Sequence, residues 1–114
     1  MQYALMVYAE PGRVEAVSDA EREAARAEFS ALASDGRIIG DVELRAAETA
    51  TCVRMVGGRT LITDGPFADT KEVLGGFVLV EAANLDDALL AARIAAGRVG
   101  GTVEVRPVRD VDLA

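Results

Sequence analysis

The first ten residues constrain this chain most. In Gln2–Ala9, reading QYALMVYA, Tyr3, Leu5 and Val7 fall on one pleat face and Ala4, Met6 and Tyr8 on the other. Successive side chains of a strand point to opposite faces, so both faces of this strand are apolar. A strand of that kind is central in its sheet and covered on both sides. Glu10-Pro11-Gly12 ends it. A chain of 114 residues has material for one core, so residues 1–114 read as a single domain.

The remaining patterns arrange themselves around that strand. Ser18 with Glu21 three residues later makes a capping box, opening a helix that runs to about Asp35. Ala25, Phe29 and Leu32 give it an inward stripe, Glu21, Arg22, Glu23, Arg26 and Glu28 point mostly outward, and Gly36 stops it. Residues 38–45 alternate as a half-exposed strand. Ile38, Gly40, Val42 and Leu44 share one face; Ile39, Asp41, Glu43 and Arg45 share the other. Two apolar runs, residues 52–56 and 59–63, are joined by Gly57-Gly58. Primed hairpin turns need positive φ at both central residues, so this pair predicts a hairpin. Residues 73–82 form another strand, in which Gly75-Gly76 suggests a bulge or a close backbone approach. Asn84 with Asp87 caps a second helix over roughly 85–96, with Leu85, Leu89, Ala92 and Ala96 as its stripe and Gly97 as its stop. Residues 102–108 close the chain as a strand, Val103 and Val105 inward, Glu104 and Arg106 outward, with Pro107 at an edge or strand end.

The order β-α-β-(hairpin)-β-α-β is α+β and ferredoxin-like, an antiparallel sheet with two helices on one face. The helices leave the second apolar face of residues 3–8 and 74–80 open, and a second copy of the sheet is the direct way to cover it. The expected assembly is a homodimer.

Charge and composition narrow the function. Twelve Lys and Arg against nineteen Asp and Glu give a net charge of −7, which disfavours nucleic acid and anionic membranes as partners. No apolar run reaches the ~20 residues of a membrane-spanning helix. The first residues lack a basic stretch and already alternate as a strand, so no signal peptide is expected and the location is read as cytoplasmic. There is no histidine. That removes the commonest general base at neutral pH, the Ser-His and Cys-His schemes, and the usual zinc and non-haem iron ligand sets. The one cysteine, Cys52, reads as a small core residue rather than a nucleophile. The sequence calls for no metal and no cofactor.

Residues 64–72, DGPFADTKE, bring three carboxylates and one lysine into a short loop between two strands. Gly65 before Pro66 is pushed out of the helical region and can take extended positive-φ conformations. Asp64 can hold such a turn through backbone N–H groups, with Phe67 packed as an anchor. Alternatively the loop projects Asp64, Asp69, Lys71 and Glu72 toward a pocket, where carboxylates near one lysine would make a charge-paired base. On that reading Asp64 is the catalytic candidate. Asp69, Lys71, Glu72 and Arg106 are then the ligand-binding candidates, Arg106 because a guanidinium suits carboxylate ligands.

The run from Thr63 to Glu72, followed by Leu74-Gly75-Gly76-Phe77, resembles the signature of the DGPF branch of the YCII-related family, as do the first strand, the opening of the second helix and residues 101–108. The resemblance covers residues 1–108. It implies a ferredoxin-like chain that pairs into a dimeric α+β barrel. It also implies a small stand-alone bacterial protein, in a family some of whose members sit beside or are fused to extracytoplasmic-function sigma factors. For most members no reaction is established. A His-Asp pair suggested for the broader family does not carry over to a chain without histidine, and Asp69 stands where Glu is more usual. Two functions of different class follow. One is a small-molecule-binding protein or enzyme with a pocket near the Asp64–Glu72 loop. The other is a non-catalytic regulatory module linked to transcription initiation.

Overall fold

The computed structural model describes residues 1–11, 18–68 and 70–109. Strands β1 (Gln2–Ala9), β2 (Ile38–Glu43), β5 (Val73–Glu81) and β6 (Thr102–Pro107) form an antiparallel sheet in the order β2-β5-β1-β6. Helices α1 (Asp19–Ser34) and α2 (Leu85–Val99) cover one face. Strands β3 (Thr51–Val56) and β4 (Arg59–Asp64) pair only with each other. The architecture is α+β and consistent with the ferredoxin-like expectation.

The core lies between the helices and the inner face of the sheet. Tyr3, Leu5, Val78 and Val80 meet Phe29 and Leu32 of α1 there. Capping follows the sequence signals. Ser18 Oγ accepts the Glu21 N–H at 3.1 Å, and Asn84 Oδ1 accepts the Asp87 N–H at 3.0 Å. Asp87 then ties α2 to the start of β2 through a 2.7 Å ion pair with Arg37.

Three sequence expectations are corrected. The buried face of α2 is Ala88, Ala91, Ala92 and Ala95, while Leu85 and Leu89 lie about half exposed. Small side chains let α2 sit close to both α1 and the sheet; a Cβ added at Gly97 would stand 3.6 Å from the Ala25 Cβ. Gly97 therefore serves the helix crossing, and the helix runs on to Gly100, whose φ of 68° makes the stop. Cys52 lies outside the core, half-buried on β3, where its thiol donates to the Gly65 carbonyl at 3.3 Å.

The third correction concerns β2. Its register against β5 slips between Ile38 and Gly40, so Ile38 opposes Val80 while Asp41 opposes Val78 and Glu43 opposes Gly76. A one-residue slip exchanges the two faces of a strand. Asp41 and Glu43 thus face the helices along with Ile38, and Val42, opposite Phe77, joins the outer face. Gly75 is the extra residue of a bulge on β5, since Val7 opposes Gly76 and Tyr8 opposes Leu74. A Cβ at Gly76 would come within 2.4 Å of the Val42 carbonyl oxygen, so only glycine permits this strand spacing. Both readings of Gly75-Gly76, bulge and close approach, hold.

The outer face of the sheet presents Met6, Tyr8, Val42, Leu74, Phe77 and Leu79, and neither described helix lies over it. The β3–β4 hairpin stands away as an arm, turned by Gly57 and Gly58 at φ 56° and 79°. Val53, Met55 and Ile62 on one of its faces are each about two-thirds exposed. The arm flattens the molecule to 47 × 41 × 19 Å and raises its radius of gyration to 16.0 Å. A chain of this length packed into one body has a radius near ~13 Å.

Candidate functional site

The Asp64–Glu72 loop begins where β4 ends. Gly65 takes φ 94°, its N–H donates to the Ala50 carbonyl at 2.7 Å, and its own carbonyl accepts from Cys52. The turn is thus held by backbone groups. The Asp64 carboxylate accepts no hydrogen bond from any described residue, contrary to the expected Asx turn, and it is exposed. Phe67 is 80% exposed, so it anchors nothing within its own chain. Thr70 Oγ1 donates to the Glu72 carbonyl at 2.6 Å.

The charges of the loop diverge. Lys71 Nζ reaches Glu10 at the end of β1, 3.2 Å away. Glu72 Oε1 accepts from Thr102 Oγ1 at 3.2 Å, linking the loop to β6. Asp69 lies outside the described residues. Arg106 lies on the outer face of edge strand β6, opposite Ala4, and forms no ion pair with Glu104. The cluster of carboxylates around one lysine is therefore not assembled from Asp64, Lys71 and Glu72.

The loop does border a cavity of about 590 Å³. Tyr8, Leu44 and Leu74 form one wall, continuous with the outer face of the sheet, and Phe67 another. Arg45, Thr49, Thr70 and Glu72 bring polar side chains to the lining, whereas Asp64, Lys71 and Arg106 stand outside it. A mostly apolar lining with few polar groups is what small-molecule sites commonly have. Sequence reasoning overlooked the wall made by Ala46, Ala47 and Ala50, around a short 3-10 turn at Ala47–Thr49. The available signal was the run of small residues between two strands, which leaves space instead of filling it. Among the described residues no three His, Cys, Asp or Glu side chains group as metal ligands do. Among the same residues no helix is long and apolar enough to cross a membrane.

Comparison with known proteins fits this geometry. The chain matches the YCII-related domain over residues 1–112. It is also 36% identical over 114 residues to an uncharacterized protein of Rhizobium meliloti (strain 1021), covering 95% of this chain and 92% of that protein. The sheet, the helix pair and the match along nearly the whole chain lead to one assignment: this protein belongs to the YCII-related family.

Proposed function

We propose that the protein is a cytoplasmic homodimer that binds a small molecule at the cavity beside the Asp64–Glu72 loop. Glu72 is the acidic contact within the cavity, beside Arg45, Thr49 and Thr70, and Asp64, Asp69 and Lys71 supply charge along the same loop. Arg106, on the outer face of the sheet, belongs with the surface between the copies. The observation that carries this reading is the cavity itself: about 590 Å³, apolar-walled, and contiguous with an uncovered apolar sheet face.

The dimer has its own support. The protomer exposes 8101 Å². A folded monomer of this mass exposes on the order of 6,000 Å². An isolated two-stranded hairpin is marginal in water, so an arm with two exposed apolar faces needs a surface to lie on. A second copy offers both the sheet face and the arm, and interfaces of obligate dimers bury on the order of 2,000 Å² or more. A regulatory module docking on another protein would use the same exposed arm, but the dimer covers it without a third partner. The net charge of −7 speaks against nucleic acid as that partner.

The test is a fragment screen by protein-observed NMR on the wild-type dimer and on Ala47→Phe, which fills the cavity. Light scattering establishes the mass first. Shifts confined to residues around Thr49, Phe67 and Glu72, lost in the filled variant at unchanged mass and melting temperature, are expected. A monomer mass at micromolar concentration refutes the dimer. Binding that survives Ala47→Phe, or fragments that never touch these residues, refutes the site.

A further inference from the structure

We infer a second, independent ligand site: a cleft between α1 and the β2–β5 edge of the sheet that accepts a small carboxylic acid bearing an amino or hydroxyl group and an apolar body. The cleft has a volume of about 650 Å³. Arg22 and Arg26 line it from α1, Arg98 from α2, and Asp41 and Glu43 from β2. Its base is apolar, with Val78 among the contributing residues.

The slip in β2 makes this cleft hard to explain as core. A regular strand would have turned Val42 toward the helices beside Ile38. Instead the slip turns Asp41 and Glu43, both exposed, to the helix side of the sheet, where they line the cleft together with three arginines. Both carboxylates keep contact with solvent, so they face open space rather than a dry core. One of the two is paired: Asp41 Oδ2 lies 3.4 Å from Arg98, whose guanidinium also sits 4.0 Å over the Phe29 ring. That arrangement fixes Arg98, and Arg22 and Arg26 complete the arginine side of the cleft. They stand four residues apart, and so on one side of α1. The ion pair of Arg26 with Glu23, at 3.4 Å between well-exposed side chains, holds it only weakly.

The polarity of the cleft selects the ligand. Guanidinium groups bind carboxylates in a two-point fork. Opposite them, Asp41 and Glu43 are acceptors that repel a second negative charge and favour a donor such as an ammonium or hydroxyl. A multiply charged phosphate matches the arginine wall and is opposed by the acidic one. A single carboxylate with a donor matches both, and the apolar base takes an aliphatic side group. The volume is ample for a ligand of that size.

The test uses L-leucine, L-leucinamide and 4-methylpentanoate as probes, with inorganic phosphate as a fourth, titrated into the full-length protein by NMR. L-leucine is expected to bind tightest and to move the Arg22, Arg26 and Glu43 signals. Loss of the carboxylate in L-leucinamide is expected to abolish binding, and loss of the donor in 4-methylpentanoate to weaken it. Arg26→Gln, at an exposed helix position that should not disturb folding, is expected to weaken L-leucine binding on the order of tenfold. Glu43→Gln is expected to narrow the gap between L-leucine and 4-methylpentanoate. L-leucinamide binding as well as L-leucine, phosphate binding more tightly than either acid, or unchanged affinity in Arg26→Gln each overturns the site. Ala47→Phe leaves this binding untouched, so failure here and failure at the loop cavity are told apart.

Discussion

Val78 and Ile62 are both β-branched residues in the middle of strands, yet Val78 is 1% exposed and Ile62 67%. The first sits in β5, between two strands and beneath the helices; the second sits in β4, whose only neighbour is β3. The inner face of the sheet is closed because its apolar stripe meets those of the two helices within the chain. The arm carries equally apolar residues, Val53, Met55 and Leu61 among them, and finds none. Strand propensity made both hairpin and sheet, and only the inner face of the sheet acquired cover. Apolar surface left this way is the signature of a region that completes its fold by association. The loop cavity lies at the junction of the two regions, between the outer sheet face and the base of the arm.

Substitutions should split along the same line. The largest effect belongs to the body. Leu5 is fully buried, and Leu5→Ala should cost about 2–5 kcal/mol by removing contacts and leaving a void. Denaturant titration at fixed protein concentration measures it, and a cost below ~1 kcal/mol would mean the body is less tightly packed than its geometry. In the arm, Ile62→Asp should leave the body folded while removing about 2 kcal/mol of apolar burial per copy from the association. Circular dichroism should then match wild type while light scattering moves toward the monomer mass. Should Ile62→Asp instead unfold the protein as Leu5→Ala does, the arm packs on its own body and the contrast fails. The smallest effect belongs to the loop. The Asp64 side chain holds nothing in place, so Asp64→Ala should change stability by less than ~0.5 kcal/mol. A loss of ~1–3 kcal/mol, recovered by Asp64→Asn, would restore the Asx-turn reading.

Much of the fold was legible before any coordinates. Strand and helix order, the Ser18 and Asn84 caps, the inward stripe of α1 and the Gly57-Gly58 turn all depend on neighbours a few residues apart. Such signals are written locally, as a side-chain oxygen within reach of an N–H or a φ that only glycine takes easily. The site was less legible. Lys71 meets Glu10 and Glu72 meets Thr102, partners 61 and 30 residues away that no spacing within the loop announces. The α2 stripe was misjudged because leucine reads as core and alanine as filler. A close helix crossing reverses that preference, since only small side chains fit between backbones so near.

The sequence by itself determined which segments become strands and helices, that the first strand is central, and that histidine chemistry is closed to this protein. Tertiary structure alone decided which face each β2 residue presents. The slip between Ile38 and Gly40 sends Asp41 and Glu43 to the helix side of the sheet and Val42 to the outer face, against the alternation read along the chain. The physical reason is that alternation specifies two faces without saying which is which. That choice is made by hydrogen-bond register against β5, and there Gly76 lets the Val42 carbonyl approach closer than any side chain would allow.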